Sequence, residues 1–274
     1  MKQNKIIYIC KKIIQAIADL LFPYFCLGCH RYQTKNTKEN SKMKLYLCDA
    51  CLRKISVNQQ NLCYICQQNS LHNFTHHSCL QKHKNSLHGL LVAGLWSDIL
   101  LRHLIYYFKY NFIKNLCYPL AEIMGQYLTS SYLFHQEKKS LLLMPVPLHK
   151  RRLKWRGYNQ SELLAEKIEQ YTKISLIKQA LLRIKPIKPQ VEINDPFSRR
   201  QNVKNAFTAN PEFNQALIKN KIIILIDDVC TTGATLEECA KNLKKFQPKQ
   251  IWGLVLVRPD KKEMTAKGKT KLLP

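Results

Sequence analysis

Acidic residues are scarce in this 274-residue sequence: 18 Asp and Glu stand against 44 Lys and Arg, a formal net charge of +26. A field of that sign attracts polyanions, so nucleic acid, anionic phosphate substrates and acidic membranes are its candidate partners. The same charge also serves solubility, and locally it reads that way, because much of the excess is Lys scattered through 35–44 and 261–271. Long apolar runs are lacking too. No segment reaches the roughly 18 uninterrupted apolar residues that a membrane span needs. The nearest, Ile6 to Phe25, is interrupted by Lys11, Lys12 and Asp19. What remains places Ile6, Ile9, Ile13, Ile17, Leu20 and Leu21 near one helical face, an amphipathic packing helix within residues 1–25. A small-residue cleavage site after a clean apolar run is also missing, so the chain is expected in the cytoplasm rather than secreted. The small-residue loop at 231–235 does not end in Gly-Lys-[Ser/Thr], which disfavours NTP hydrolysis of the Walker type there.

What is present suits a globular protein. At 46% hydrophobic and 23% charged residues, the chain is apolar enough for one sizeable core, and long enough to add a small accessory module. Eleven cysteines in a cytoplasmic chain call for an explanation other than disulfides. Six form three Cys-x-x-Cys pairs, Cys26/Cys29, Cys48/Cys51 and Cys63/Cys66, and Cys79 follows His76 at the same spacing. A two-residue gap lets both side chains of a tight knuckle point at one tetrahedral ion, and thiolate and imidazole donors select zinc. In chain order, Cys26, Cys29, Cys48 and Cys51 make one site, and Cys63, Cys66, His76 and Cys79 a second, in which His77 and His83 compete with His76 for the fourth position. Four protein ligands leave no open position for water, so both sites are expected to be structural. A module of about fifty residues with little apolar content cannot fold unaided, and metal would supply its core.

The most informative stretch runs from Lys221 to Ala240. Ile222 to Ile226 is a short, continuous, β-branched run that suits a buried parallel strand. Asp227 and Asp228 follow at its carboxyl end, then Thr231, Thr232, Gly233, Ala234 and Thr235, then a helical pattern starting near Thr235. A loop of small residues entering a helix N-terminus presents backbone N–H groups to a phosphate. Paired carboxylates just before it suit ribose hydroxyls and, through them, Mg²⁺.

The string of apolar run, two acids and Thr-Thr-Gly-x-Thr resembles the phosphoribosyl pyrophosphate (PRPP) motif of type I phosphoribosyltransferases. Other segments narrow the resemblance: Leu104 to Tyr110, Met144 to Gln160, Arg183 with Gln190, and Arg199 to Phe207. In this order, behind paired zinc knuckles, they resemble the ComF family of competence-associated phosphoribosyltransferase-like proteins over about 21–258. Two departures stand out: His76 replaces a usual cysteine, and Cys230 lies inside the loop.

The resemblance implies an α/β domain over 85–260, a mainly parallel sheet flanked by helices, preceded by a zinc-ribbon module over 26–84 and followed by a basic tail over 261–274. The pattern of residues agrees with such a sheet. Strands are expected at Leu90 to Trp96, Leu141 to Val146, Ile222 to Ile226 and Ile251 to Val257. Helices are expected from Ser97-Asp98 to about Tyr110, Leu116 to Ser130, Asn159 to Tyr171, from Asp195-Pro196, and from about Thr235 to Phe246. By resemblance, Thr231 to Thr235 hold the 5-phosphate, and Asp227 and Asp228 the ribose hydroxyls and Mg²⁺. Lys150, Arg151, Arg152 and Arg156 receive the pyrophosphate, and Arg199 and Arg200 are candidates for a lid. The absence of a Cys after Met1 disfavours a glutamine amidotransferase variant.

Three roles follow as expectations: transfer of phosphoribose to an acceptor, a scaffold handling single-stranded DNA beside competence or recombination proteins, and a PRPP-sensing regulator. Trp155 and Tyr158 among the basic residues at 150–156 suit stacked bases. Tyr106 and Tyr107, beside Leu104, Ile105 and Phe108, read better as core.

Overall fold

A computed structural model of the chain describes residues 24–33, 46–83, 86–186 and 201–259. Two compact units meet at the Lys54–Ile55 boundary, which falls inside the 26–84 span. The expected amphipathic helix lies outside the described residues except at Tyr24 and Phe25, which are extended rather than helical.

In the first unit, β1 (Tyr24–Phe25) and β2 (Tyr32–Gln33) pair antiparallel, in the register Tyr24 to Gln33 and Phe25 to Tyr32. Cys26 and Cys29 stand in the turn between them, closed by the bonds Cys26 N to Arg31 O and His30 N to Cys26 O. One turn of helix, α1 (Asp49–Leu52), begins at Cys48 and carries Cys51.

The second unit holds α2 (His77–His83), β3 (Gly89–Val92), α3 (Ile99–Tyr110), α4 (Cys117–Ser130) and α5 (Tyr132–Glu137). It continues through β4 (Leu141–Pro145), α6 (Lys150–Arg156), α7 (Gln160–Thr172), β5 (Leu181–Arg183), β6 (Phe207–Ala209), β7 (Ile222–Ile226), α8 (Ala234–Leu243) and β8 (Gln250–Val255). Four of these strands form one sheet in the order β3-β8-β7-β4, every pair parallel. β7 is therefore central, and its five residues are all fully buried. That is why the sequence there is a continuous apolar run and not an alternating one. Ile223 and Leu225 face α8 and the β5–β6 ribbon, in one cluster with Leu236, Ala240 and Phe207. On the opposite side α4 packs on α7, which in turn lies against β4 and β7. The expected parallel α/β sheet flanked by helices is thus present.

Element boundaries differ by a few residues for local reasons. β3 stops at Val92, not Trp96, although Ala93 N and Gly94 N go on bonding to Val255 O and Leu256 O beyond it. Asp98 caps α3 as expected, its Oδ1 accepting from Leu101 N at 3.0 Å, while its Oδ2 accepts from Ser56 N at 3.0 Å. Gly89 is required by packing, because a Cβ there would lie 2.2 Å from the indole of the fully buried Trp252. The expected helix from Asp195-Pro196 and the Arg199–Arg200 pair lie outside the described residues.

Several elements were not expected, two of which carry arginines. One is the antiparallel β5–β6 ribbon, whose three-residue strands are too short for periodicity to register. The other is α6, one basic helix ended by Gly157 at φ 76°, whose N–H reaches back to Leu153 O at 2.7 Å.

Because all four strands run the same way, the segments after β4, β7 and β8 gather on one edge. Asp227 N donates to Leu254 O, Leu256 N to Asp228 O and Cys230 N to Val257 O, holding that edge as an extension of the sheet. Truncating the centre of the sheet tests this arrangement. Ile224→Ala is expected to lower unfolding stability in urea by about 2–5 kcal/mol, the usual cost of a buried cavity. Leu217→Ala, at a position 52% exposed, should stay within about 0.5 kcal/mol of wild type.

Candidate active site and metal-ligating clusters

Asp227 and Asp228 leave the carboxyl end of β7 side by side, and the charges around them answer that juxtaposition. Asp228 is buried and its Oδ1 pairs with Lys109 Nζ of α3 at 2.9 Å. Asp227 Oδ1 accepts from Ser161 Oγ of α7 at 3.0 Å and from Asp228 N at 2.9 Å. Surrounding protein raises the Asp227 carboxyl well above the usual aspartate range, and the like charge of Asp228 raises it further. Lys109 and the two hydrogen bonds pull in the other direction.

The loop that follows turns at Gly233, whose φ of 78° is left-handed. Ala234 N donates to Thr232 Oγ1 at 3.3 Å, and Glu237 N closes the first bond of α8 onto Gly233 O at 2.9 Å. The ten-residue α8 thus starts at the loop with its first N–H groups at the same edge as the carboxylates. Thr231, Thr232, Ala234 and Thr235 are half-buried, Gly233 and Cys230 buried.

Of the four basic residues expected to receive an anion, two turn inward. Arg156, at the end of α6, is buried. Burial lowers its affinity for a proton, and the Asp228 charge restores part of it. Arg152 is half-buried and repels both Arg156 and Arg183, whereas Lys150 and Arg151 are exposed. Burial pushes Arg183, on β5, down to about 10, with Arg152 adding to the shift and Asp227 opposing it. Arg156 Nε, Arg183 Nε and the Nε2 of buried Gln160 have no hydrogen-bond partner among the described residues. Buried cations with donors to spare are the arrangement an anion completes.

Lys109, Ser161 and Gln160 were missed as site residues. Lys109 stands 119 positions before Asp228 and Ser161 66 positions before Asp227, and only the sheet brings their helices to its edge.

 The Ser161 hydroxyl reaches Asp227 across 66 positions of chain, a separation that leaves no local signal. Lys109 could have been noticed as the basic residue in the last turn of the aromatic segment 104–110. In that segment Leu104, Ile105 and Phe108 are the core residues. Tyr106 and Tyr107, expected there, are only half-buried, because α3 turns them to its outer flank. Tyr158 is buried, its hydroxyl donating to the Phe108 carbonyl, whereas Trp155 is 61% exposed with its ring 5.3 Å from that of Phe112.

Both sets of metal-ligating side chains assemble as expected. Cys26, Cys29, Cys48 and Cys51 form one group, and Cys63, Cys66, His76 and Cys79 the other, with all ligand atoms of a group within 4.8 Å of one another. The Cys29 to Cys48 separation of 3.8 Å is the edge of a tetrahedron whose arms are about 2.3 Å long, the metal–sulfur distance of zinc sites. His76, and not His77, joins the second group, its Nδ1 3.3 Å from Cys66 Sγ. Its Nε2 lies 3.0 Å from Asn69 O, so a proton there leaves the Nδ1 lone pair facing the thiols. Backbone N–H groups of Gly28 and Cys48 point at Cys26 Sγ, and that of His76 at Cys63 Sγ, each at 3.4 Å. Burial opposes ionisation of Cys26 and Cys63, but these N–H groups prevail and draw both down to about 7. Burial and neighbouring sulfurs push Cys51 up to about 12. Four such donors share one space comfortably only around a cation, and the set fits a tetrahedral metal ion.

Comparison with known proteins agrees with this geometry. The model of the phosphoribosyl transferase domain family matches residues 190–272. The chain is similar to Competence protein F of Haemophilus influenzae, 29% identical over 225 residues that cover 76% of this chain and 96% of that protein. It is similar to DNA utilization protein YhgH of Escherichia coli O157:H7, 31% identical over 41% of this chain and 48% of that one. It also matches Competence protein ComFC of Bacillus subtilis, 32% identical over 44% of this chain and 45% of that one.

The raised Asp227 carboxyl has a consequence for stability. A group whose folded pKa lies above its unfolded value contributes stability that is present at low pH. That contribution is lost as pH rises from the ordinary aspartate range (~3.9) through the raised value. Asp227→Asn keeps the neutral form at every pH. Without ligand, the variant is expected to melt above wild type near neutral pH and to converge with it toward about pH 4, as followed by thermal unfolding. Parallel curves at all pH values would contradict the shift.

Proposed function

We propose that this chain, which belongs to the ComF type of phosphoribosyltransferase-like proteins, binds PRPP at the Asp227–Thr235 edge and acts in natural competence and DNA uptake. The observation that carries the reading is the Asp227–Asp228 pair at the end of the buried strand β7, standing before an anion-ready loop and ringed by Lys109, Arg156 and Arg183. The competence role comes from the printed names of the relatives. Thr231 to Thr235 and the first N–H groups of α8 suit the 5-phosphate. Asp227 and Asp228 suit the two ribose hydroxyls, accepting from each while Ser161 and Lys109 hold the carboxylates in place. Arg152 and Arg156 suit the pyrophosphate, to which the spare Nε donor of Arg156 would bond. Mg²⁺ bound with PRPP would supply charge neutralisation between pyrophosphate and the carboxylates.

Positioning and electrostatics are then the work of the site, with no proton transfer required of it. Both cysteine groups are read as structural zinc sites, because each offers four protein ligands and no position for a substrate. No helix among the described residues is long and apolar enough to cross a membrane. We place the protein in the reducing cytoplasm, where thiolates remain available to metal.

Calorimetry with PRPP and Mg²⁺ tests the site. Wild type is expected to bind, and the Asp227→Asn/Asp228→Asn double variant to lose binding by at least about tenfold. That factor corresponds to about 1.4 kcal/mol, the low end for hydrogen bonds to charged groups. Failure of well-folded, metal-loaded wild type to bind would end the PRPP reading. Acceptor-dependent release of pyrophosphate would add turnover, and binding without release under any acceptor would assign a sensing role.

A second reading concerns DNA, and one feature of α6 favours it. Its outer face exposes Trp155 and Leu153 among Lys150, Arg151 and Lys154, beside Phe112. Stackable rings interleaved with cations suit a single strand. Affinity for a single-stranded oligonucleotide should fall steeply with salt, by about 0.7 log units per log unit of salt for each phosphate contacted. Neutralising Lys150, Arg151 and Lys154 should flatten that slope, and Trp155→Ala should weaken binding by about 1–3 kcal/mol. An unchanged slope would remove α6 from the interface.

A further inference from the structure

The second metal-ligating group touches the anion loop through one side chain. Tyr64 lies between the ligands Cys63 and Cys66, in the knuckle closed by the bonds Gln67 N to Cys63 O and Cys63 N to Gln68 O. Between residues 55 and 83, the buried hydrophobic residues are Ile55, Cys63 and Tyr64, and of these three Tyr64 joins the core cluster around α8. It enters the core cluster that also holds Cys230, Leu236 and Leu90. Its ring covers the turn of the loop: a Cβ built on Gly233 would stand 3.0 Å from Tyr64 Cε2. The phenol oxygen donates to Glu237 Oε2 in the first turn of α8 at 2.6 Å. The same carboxylate accepts from Ser86 N and, at 3.4 Å, from Leu87 N, so it ties three strands of contact to the start of α8. Arg258, after β8, stands over the outer face of the ring at 5.9 Å.

We propose that Tyr64 is a positioning residue of the 231–237 anion loop, and that the Cys63/Cys66/His76/Cys79 group, when holding its metal, governs through it how firmly the loop is preorganised for phosphate. The physical path is short. Metal ligands on both sides of Tyr64 fix the backbone from which the ring projects. The ring blocks the space beside Gly233, and the hydroxyl holds the helix turn that supplies the N–H groups. Loss of the metal frees the knuckle and, with it, the brace on the loop. The inference rests on reading that loop as a phosphate site, but its test does not depend on PRPP binding.

Hydrogen exchange of the amides at 231–237 reads the brace directly, and calorimetry with PRPP and Mg²⁺ reads its effect on the ligand. Four full-length proteins suffice: wild type, Tyr64→Phe, His76→Ala and the double variant, each assayed for bound metal. Tyr64→Phe keeps the ring and the ligands, so it should retain its metal content. Its loop amides are expected to exchange roughly tenfold faster, as loss of a hydrogen bond to a charged group implies. His76→Ala should lose metal from the second group alone and accelerate the same amides at least as much. The double variant should exceed His76→Ala only slightly, because both changes act on one path. If wild type binds PRPP, the affinity should fall in the same order. Fast exchange in the variants with no PRPP binding by wild type would keep the brace and end the PRPP reading. Wild-type protection in Tyr64→Phe with metal retained, or fully additive effects in the double variant, would overturn the proposal.

Discussion

Two carboxylates on consecutive residues, held at the end of a fully buried strand, are the constraint around which this fold is arranged. Placed so close in a low-dielectric setting, they repel one another, and both lose hydration. The helices on one side of the sheet answer with Lys109 on Asp228 and Ser161 on Asp227. The basic helix α6 and the β5–β6 ribbon add Arg156 and Arg183, neither of which finds a full set of partners of its own. The result is an edge where paired carboxylates stand beside arginines with donors to spare. Such an edge is held in place by the surrounding core, since it would not assemble on its own energy, and it suits the ligand proposed above, which carries both hydroxyls and phosphates.

The metal-ligating groups solve a different problem. The segments around them contain little apolar surface to bury, and a bound metal would take the place of a hydrophobic core. The two groups also differ in setting. The first lies in a unit of its own, with a short hairpin and one turn of helix. The second belongs to the same compact unit as the sheet, and Tyr64 from its knuckle is counted among the core residues. The second metal-ligating knuckle and the loop after β7, which the chain keeps more than 150 positions apart, thereby share one packed cluster.

Much of this was legible in residue order. The knuckles announce themselves by spacing, since two residues between ligands is a local requirement of the turn. The apolar run at 222–226, the two acids and the small-residue loop are contiguous, so both the central strand and the heart of the site could be read from one segment. Asp98 as a helix cap was similarly local. The choice of His76 over His77 was not, because neighbouring histidines near one knuckle are equivalent until the chain is folded around Asn69 and Cys66.

The sequence by itself determined the kinds of side chain this protein brings together: sets of thiols with an imidazole, paired carboxylates before a small-residue loop, and an excess of cations. Each of these is encoded within a few consecutive residues, where steric and spacing rules act directly. The tertiary structure alone decided which distant side chains complete them. Lys109, Ser161 and Arg183 reach the carboxylates because parallel strands bring the ends of separate segments to one edge, and Arg156 is turned inward while Lys150 and Arg151 stay in solvent because α6 is a helix. Tyr64 meets Glu237 for the same reason, since contacts across 173 positions depend on packing that no local pattern records.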